Sequence, residues 1–387
     1  MKKVVKRALL ILNCVISGCL ILAYLSVFVS PERFWPLAFF GLAFPLLVIL
    51  NLLMFIFWII RRNRYLFISL LTLILGAGYF GVFFQIPFFQ KNGIDQPDNN
   101  TTGIGRAGIS SPVIFLSYNV RLFNFYNWSE NPEARDRIFE FISQKRPGIL
   151  CLQEIYTQEK DKIPQLSIEG KSGYSGYSHI AYASGTSLKG KYGIATFTAF
   201  PILSRGEIRY PETNNLSIYT DLAIYEDTVR IYNNHLQSIK LRKKNYDFIE
   251  TLNTGDEEET MDEILDISFR LRNAFRKRAQ QADILADHIL SSPYPVIVCG
   301  DFNDTPVSYT YRKIRGNLRD AFIESGGGLG NTYLGKFPSY RIDYILHSKN
   351  INSGYFETSR VNYSDHYPVS CIFEVKREDD QDQRSRR

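Results

Sequence analysis

The sequence predicts an α/β domain preceded by three transmembrane helices, and three observations predict it. First, several short β-branched runs each end in carboxylates, amides or histidines. Second, amphipathic helical stretches alternate with those runs. Third, residues 9–29, 37–60 and 65–84 are nearly charge-free and rich in Leu, Ile, Phe and Val, whereas no comparable run follows residue 90. At 387 residues the chain has room for one large domain and a further region.

Each apolar segment is about long enough to cross a ~30 Å hydrocarbon layer as a helix. Lys2, Lys3, Lys6 and Arg7 precede the first, and Arg61, Arg62 and Arg64 separate the second from the third. The positive-inside rule then places the N-terminus in the cytoplasm and, with three spans, the C-terminal domain on the extracytoplasmic face of a multi-pass inner-membrane protein. A cleaved signal peptide fits the basic start, but the stretch is long for a signal core, no clear cleavage site follows, and two further apolar segments come directly after. Pro36 and Pro45 are tolerable in a membrane helix. No ionisable residue falls inside a span, which argues for an anchor of residues 1–90 rather than a transporter.

Residues 91–111 are polar and rich in Gly and Asn, a flexible linker by composition. A domain over 112–376 and a charged tail over 377–387 follow. Val113–Tyr118 reads as a strand ending at Asn119. Residues 132–144 read as a helix with Ile138, Phe139 and Ile142 on one face, and Ile149–Leu152 as a strand running into Gln153-Glu154. Residues 193–204 suggest a strand, a turn at Pro201 and an antiparallel return. Leu216–Tyr225 and Thr228–Tyr232 suggest a hairpin that leads into Asn233-Asn234-His235. Residues 240–268 are charged and lack clean periodicity; a solvated surface or a substrate-facing lid both fit. A long amphipathic helix over 269–290 leads to the strand Val296–Cys299 and then Gly300-Asp301-Phe302-Asn303-Asp304. The five cysteines suit buried free thiols better than a disulfide framework, and the net charge of +6, drawn partly from the ends of the chain, does not itself indicate nucleic acid.

Acids, amides and histidines at strand ends suit metal-assisted hydrolysis of phosphate esters, which needs charge stabilisation, an activated water and help for the leaving group. Glu154 and Asp365 are the expected ligands of a hard divalent cation. Asp301 is expected to orient or deprotonate the water, with Asn303 on the same strand face donating to a phosphoryl oxygen. Asp343, mid-strand in an apolar frame, is expected to pair with His366. His235, Asn119 and Asn234 would supply further phosphate contacts. His179, His288 and His347 are expected to be structural, and Asp304 a turn or capping acid.

From about residue 110 to 376 the chain resembles the endonuclease/exonuclease/phosphatase superfamily of DNase I-like enzymes. The resemblance rests on Ser117-Tyr118-Asn119, Leu152-Gln153-Glu154, Asn234-His235-Leu236, Gly300-Asp301-Phe302-Asn303, Arg341-Ile342-Asp343-Tyr344 and Ser364-Asp365-His366, in that order. It implies a four-layer sandwich of two mixed β-sheets flanked by helices, Mg²⁺ or Mn²⁺ dependence and, with the apolar region, a membrane-anchored bacterial member. Arg121 departs from the abasic-site nucleases, which carry an acid there, and His235 stands where those enzymes have tyrosine. The reading is therefore a membrane-anchored phosphoesterase acting on a phosphate ester such as a lipid head group or a small phosphorylated metabolite. A surface nuclease using Tyr174, Tyr177, Tyr182 and Lys189-Gly190-Lys191 is less favoured, as is a catalytically silent tethered binding domain.

Overall fold

The computed structural model describes residues 3–86, 112–124, 131–157, 176–183, 190–251, 257–335 and 340–375. The expected linker 91–111 and tail 377–387, together with Tyr174 and Lys189, lie outside the described residues. The chain divides into two compact units, one of Met1–Phe84, Ser238–Ile284 and Asp304–Ile314, the other of Gln85–Gln237, Leu285–Asn303 and Arg315–Arg387.

In the first unit the apolar segments do not form three spans. Helix α1 (Lys3–Ser26) is long and apolar enough to cross a membrane. The second segment breaks at Ala43 into α2 (Pro36–Leu42) and α3 (Phe44–Ile60), bent by 66°. Pro45 sits in the first turn of α3, where a missing N–H costs nothing, but inside a continuous helix it would remove a backbone bond. The third segment yields α4 (Leu66–Leu75), about 15 Å long at a 1.5 Å rise and so half a bilayer core. Gly76, Gly78 and Gly81 then interrupt the run. Among the described residues there is one spanning-length helix, or two if the bent pair is a single crossing.

Buried polar side chains tie these helices together. Asn51 donates to the Ser17 hydroxyl (3.0 Å), Ser69 donates to Asn13 Oδ1 (2.7 Å), and the Tyr24 hydroxyl donates to the Thr72 carbonyl (3.0 Å). In an apolar setting such bonds fix helix pairing that dispersion alone leaves loose. In the same unit α6 (Lys243–Thr251) precedes α7 (Glu257–Leu290), which starts well before the expected residue 269 and whose residues from Leu285 onward belong to the second unit. Asp304 forms a buried ion pair with Arg278 (3.2 Å) and accepts from the Thr305 amide, which adds a partner to the turn role expected of it.

The second unit is built on two mixed six-stranded sheets. One contains β1 (Val113–Asn119), β2 (Ile149–Thr157), β3 (Tyr177–Tyr182) and β4 (Lys191–Thr198), joined later by β11 (Ile351–Thr358) and β12 (Val369–Val375) in the order β11-β12-β1-β2-β4-β3. The other contains β5 (Ile202–Arg209), β6 (Leu216–Ile224), β7 (Asp227–His235), β8 (Val296–Asp301), β9 (Arg319–Asp320) and β10 (Asp343–His347) in the order β9-β10-β8-β7-β6-β5. The antiparallel return expected at Pro201 does not occur. Beyond that turn the chain leaves the first sheet, and β5 pairs with β6 in the second.

The alternation of each strand accounts for the layers. Phe115, Cys151, Ile231, Ile297, Cys299 and Phe373 point into one core between the sheets. The opposite residues of the first sheet, Leu116, Tyr118, Leu150 and Leu152, pack on Ile138, Phe139 and Ile142 of α5 (Ala134–Lys145). On the second sheet the Tyr232 hydroxyl meets His288 Nδ1 at 2.8 Å, near the end of α7. Cys151, Cys299 and Cys371 are buried free thiols.

His179 on β3 is buried against Thr220 of β6 (Nδ1 to Oγ1, 2.9 Å), and burial, with Arg205 nearby, lowers its pKa from 6.5 to about 4. The folded chain thus holds it neutral, while the unfolded chain protonates it. Its contribution is complete above pH 6.5 and is lost as pH falls toward 4, by about 3 kcal/mol at most. His179→Gln is expected to flatten the denaturant midpoint between pH 6.5 and 4; an unchanged pH dependence would refute this assignment.

Candidate active site

Strand polarity assembles the site. β1 and β2 run parallel with Asn119 beside Gln153, and β7 and β8 run parallel with His235 beside Asp301, so both pairs deliver polar residues at their carboxyl ends. β10 runs antiparallel to β8 and begins at Asp343, directly opposite Asp301. Asp343 therefore opens its strand and does not lie mid-strand as expected; the backbone N–H groups of Ile342 and Asp343 both donate to Thr332 Oγ1 at 3.0 Å. β12 runs antiparallel to β1, which brings the preceding Ser364-Asp365-His366 to the same end. Ser364 Oγ donates to the Asn119 carbonyl at 2.8 Å.

Two backbone irregularities aim the acids. The β2–β4 register shifts between Leu152 and Ile155, and Glu154 there has φ +53°, so the bulge turns its side chain out of the strand's alternation. Gly300 has φ +120°, and a Cβ there would come within 2.1 Å of the Asn234 carbonyl oxygen. Only glycine fits between β7 and β8 at that point.

The side chains converge on Asp301. Asn119 Nδ2 donates to Asp301 Oδ2 (3.1 Å) and reaches Glu154 Oε1 at 3.4 Å. Asn303 donates to Asp301 twice, from its backbone N–H to Oδ1 (2.8 Å) and from Nδ2 to Oδ2 (3.0 Å). Its φ of +54° takes it off the strand, so it reaches Asp301 by a left-handed turn, not by the alternation expected. His235 Nε2 lies 3.3 Å from Glu154 Oε1 and 3.9 Å from Asp301 Oδ2. His366 Nδ1 lies 2.9 Å from Asp343 Oδ2, the pairing expected, and its Nε2 lies 3.7 Å from Asp301 Oδ2.

Burial raises the Asp301 carboxyl to about 6, with His366 opposing and Asp343 reinforcing the shift. Burial also works against a charged His366, but Asp343 and Asp301 outweigh it and hold the imidazolium well above its usual range. The Glu154 carboxyl is raised by burial and by the Asp365 charge. Asp365 in turn pairs with Arg121 Nε at 3.3 Å.

Asn234 is not brought to this cluster. It is fully buried, and its amide donates to the carbonyls of Cys299 (2.7 Å) and Tyr232 (3.3 Å), lacing β7 to β8. Three contributors were not singled out from sequence. Arg121 is one. Gln153 and Asn233 are the others: Gln153 Nε2 donates to Asn233 Oδ1 (2.7 Å), and Asn233 Nδ2 donates to the Ala195 carbonyl (2.9 Å), tying the two sheets together beside the site. Their strand-end positions were a signal; which face they point to was not readable.

Oxygen donors dominate the Glu154–Asp365 side, which suits a hard divalent cation. The Asp365 charge adds to burial in raising the Glu154 carboxyl, and Arg121 is the cation paired with Asp365 alongside. Ligand atoms of Asp301, Asp343 and His366 also lie within 4.8 Å of one another, but there the imidazolium already bridges the two acids.

The chain belongs to the endonuclease/exonuclease/phosphatase family, whose sequence pattern matches residues 116–366. A domain of unknown function (DUF8431) matches residues 6–83. Among curated proteins none matches the chain. An endonuclease/exonuclease/phosphatase from Beutenbergia cavernae is 14% identical with a TM-score of 0.50, covering 68% of this chain and 72% of its own. The human Nocturnin catalytic domain with bound sulfate is 22% identical with a TM-score of 0.48, covering 68% and 94%. A family protein from Bacteroides thetaiotaomicron is 16% identical with a TM-score of 0.47, covering 69% and 96%.

Asp343→Asn removes the charge that stabilises the His366 imidazolium. The His366 ring is expected to titrate at lower pH in the variant, followed by NMR of ¹³C-histidine-labelled protein. A titration matching the unsubstituted chain would mean that Asp343 does not set it.

Proposed function

We propose that the chain is a divalent-metal-dependent phosphoesterase that hydrolyses phosphate ester bonds with an activated water. The observation that carries this reading is the convergence of Asn119, Glu154, His235, Asp301, Asn303 and His366 from the ends of both sheets. Asp301 is the base: its carboxylate is oriented by three donors from Asn119 and Asn303, and it takes a proton from water in line with phosphorus. His366, kept charged by Asp343, and His235 donate to phosphoryl oxygens, and the Asn119 and Asn303 amides complete the anion pocket. Glu154 with Asp365 would hold Mg²⁺ or Mn²⁺, which supplies charge neutralisation to the phosphoryl group and the departing oxygen.

The same reading anchors the chain in a bilayer through α1, with its basic start in the cytoplasm and the catalytic unit extracytoplasmic. Supporting it, Ile11, Val15, Leu53, Ile56 and Leu71 expose large apolar side chains on α1, α3 and α4. A substrate presented at a membrane, a lipid head group or a small phosphorylated metabolite, follows from that location.

The full chain in detergent is to be assayed on bis-p-nitrophenyl phosphate, p-nitrophenyl phosphate, sphingomyelin and plasmid DNA. Hydrolysis is expected to require Mg²⁺ or Mn²⁺ and to cease with EDTA. Asp301→Ala and His366→Ala are each expected to lose about 10²–10⁴-fold in rate with folding retained by circular dichroism. A folded protein that hydrolyses none of the four would point to a silent binding domain, and activity on plasmid DNA alone to a nuclease. For topology, a C-terminal alkaline-phosphatase fusion is expected to be active; an inactive one beside a fluorescent cytoplasmic reporter would reverse the orientation.

A further inference from the structure

The N-terminal half of α7 presents its faces in the reverse of the order water demands. Met261, Ile264, Leu265 and Phe269 follow the i, i+3, i+4, i+8 spacing of one helical face and are 55%, 44%, 58% and 58% exposed. The opposite face, Glu263, Asp266 and Arg270, is turned toward the chain between residues 240 and 246. Asn245 Nδ2 donates to Glu263 Oε2 (2.9 Å) and Asp266 Oδ2 (3.0 Å), Lys244 pairs with Glu263, and Arg270 donates to Asp266 (2.9 Å) and to the Lys240 carbonyl (2.9 Å). A surface helix of a soluble protein buries the first kind of face and exposes the second. The polar face is here satisfied by the Asn245 amide, the opposite charge of Lys244 and the Lys240 carbonyl, so the helix is held with its apolar side outward.

What lies next to this stripe identifies its occupant. One turn beyond Phe269, Arg272 sits over the Trp35 ring (5.3 Å), and Arg276 is exposed on the same side of the helix. Phe275 meets the edge of Phe39 (5.3 Å). Trp35 and Phe34 are themselves exposed, and Arg312 stacks on the exposed Phe28 (4.2 Å) just past the end of α1. Aromatic rings and arginines thus ring the end of the apolar helices, the composition of a membrane–water boundary, and the stripe on α7 continues from it. An apolar stripe with a cationic flank suits acyl chains beneath anionic phosphates.

We propose that α7 lies along the bilayer surface, with Met261, Ile264, Leu265 and Phe269 in the boundary between head groups and acyl chains. This rests on the membrane anchoring proposed above. It gives the charged 240–268 segment a different role from the substrate lid weighed from sequence: its polar residues orient a helix that contacts phospholipid.

The full-length chain in nanodiscs of phosphatidylethanolamine and phosphatidylglycerol can be photo-crosslinked from p-benzoylphenylalanine placed singly at Leu265, Phe269 or, on α1, Ile11. Each variant is first shown to keep the melting temperature of the parent chain. The expected result is a mass increase of one phospholipid at Leu265 and Phe269, as at Ile11. Lipid adducts at Ile11 with none at Leu265 or Phe269 would overturn the proposal while sparing the anchor. No lipid adduct at any position would overturn the anchor as well. Crosslinked dimers from Leu265 or Phe269 would assign the stripe to a second copy of the chain and overturn the lipid contact.

Discussion

The site depends on two carboxylates held face to face. The register of β8 against β10 sets Asp301 opposite Asp343, a like-charged cross-strand pair that repels when both are ionised. His366 resolves the conflict by placing one ring nitrogen against each acid, at 2.9 Å and 3.7 Å. An imidazolium there is an internal counter-ion, and the two acids are what keep it charged in a buried setting. Each member of the trio would be unfavourable without the other two. The loop carrying His366 must therefore end where β10 begins, and the Ser364 bond to the Asn119 carbonyl fixes it there.

The backbone around this trio is specialised in the same direction. Gly300 lets β8 press against the Asn234 carbonyl, which allows Asp301 to emerge next to His235. The bulge at Glu154 performs the equivalent task on the other sheet. Two sheets that merely faced one another across an apolar core could slide. Gln153 and Asn233 bond across the gap and to backbone carbonyls of β2 and β4, so the strand ends of the two sheets keep a fixed offset. Replacing an apolar contact with this polar pair exchanges tolerance for positional precision, a useful trade where reacting groups must align.

Much of this was legible in the sequence because strand-end chemistry is local. Asn119, Glu154, His235 and Asp301 each follow a short apolar run, and the pairing of Asp343 with His366 follows from the cost of an unpaired buried acid. What was not legible depends on direction. Asn234 and Asn233 are neighbours of the same type, and one laces β7 to β8 while the other bridges the sheets; neither joins the cluster itself. Hydropathy alone counted three spans, because a window average cannot register a 66° break at Ala43 or glycines that stop α4 after ten residues. The turn at Pro201 looked like a hairpin because sequence gives a strand's length but not the sheet it joins.

Charge around the site bears directly on the cation proposed for it. Glu154, Asp301, Asp343 and Asp365, when ionised, face Arg121 and the charged His366, which leaves two negative charges in excess. A phosphate ester is itself an anion, and in a partly buried cleft its approach to such a cluster is opposed by several kcal/mol at an effective dielectric of about 20. The single positive charge of His366 is already counted in that sum. Protonating the acids would remove that barrier but would also disable Asp301 in the base role proposed for it. On the proposed reading, a divalent cation held by Glu154 and Asp365 would cancel the excess and leave Asp301 ionised, which is the electrostatic argument for including a metal in that proposal.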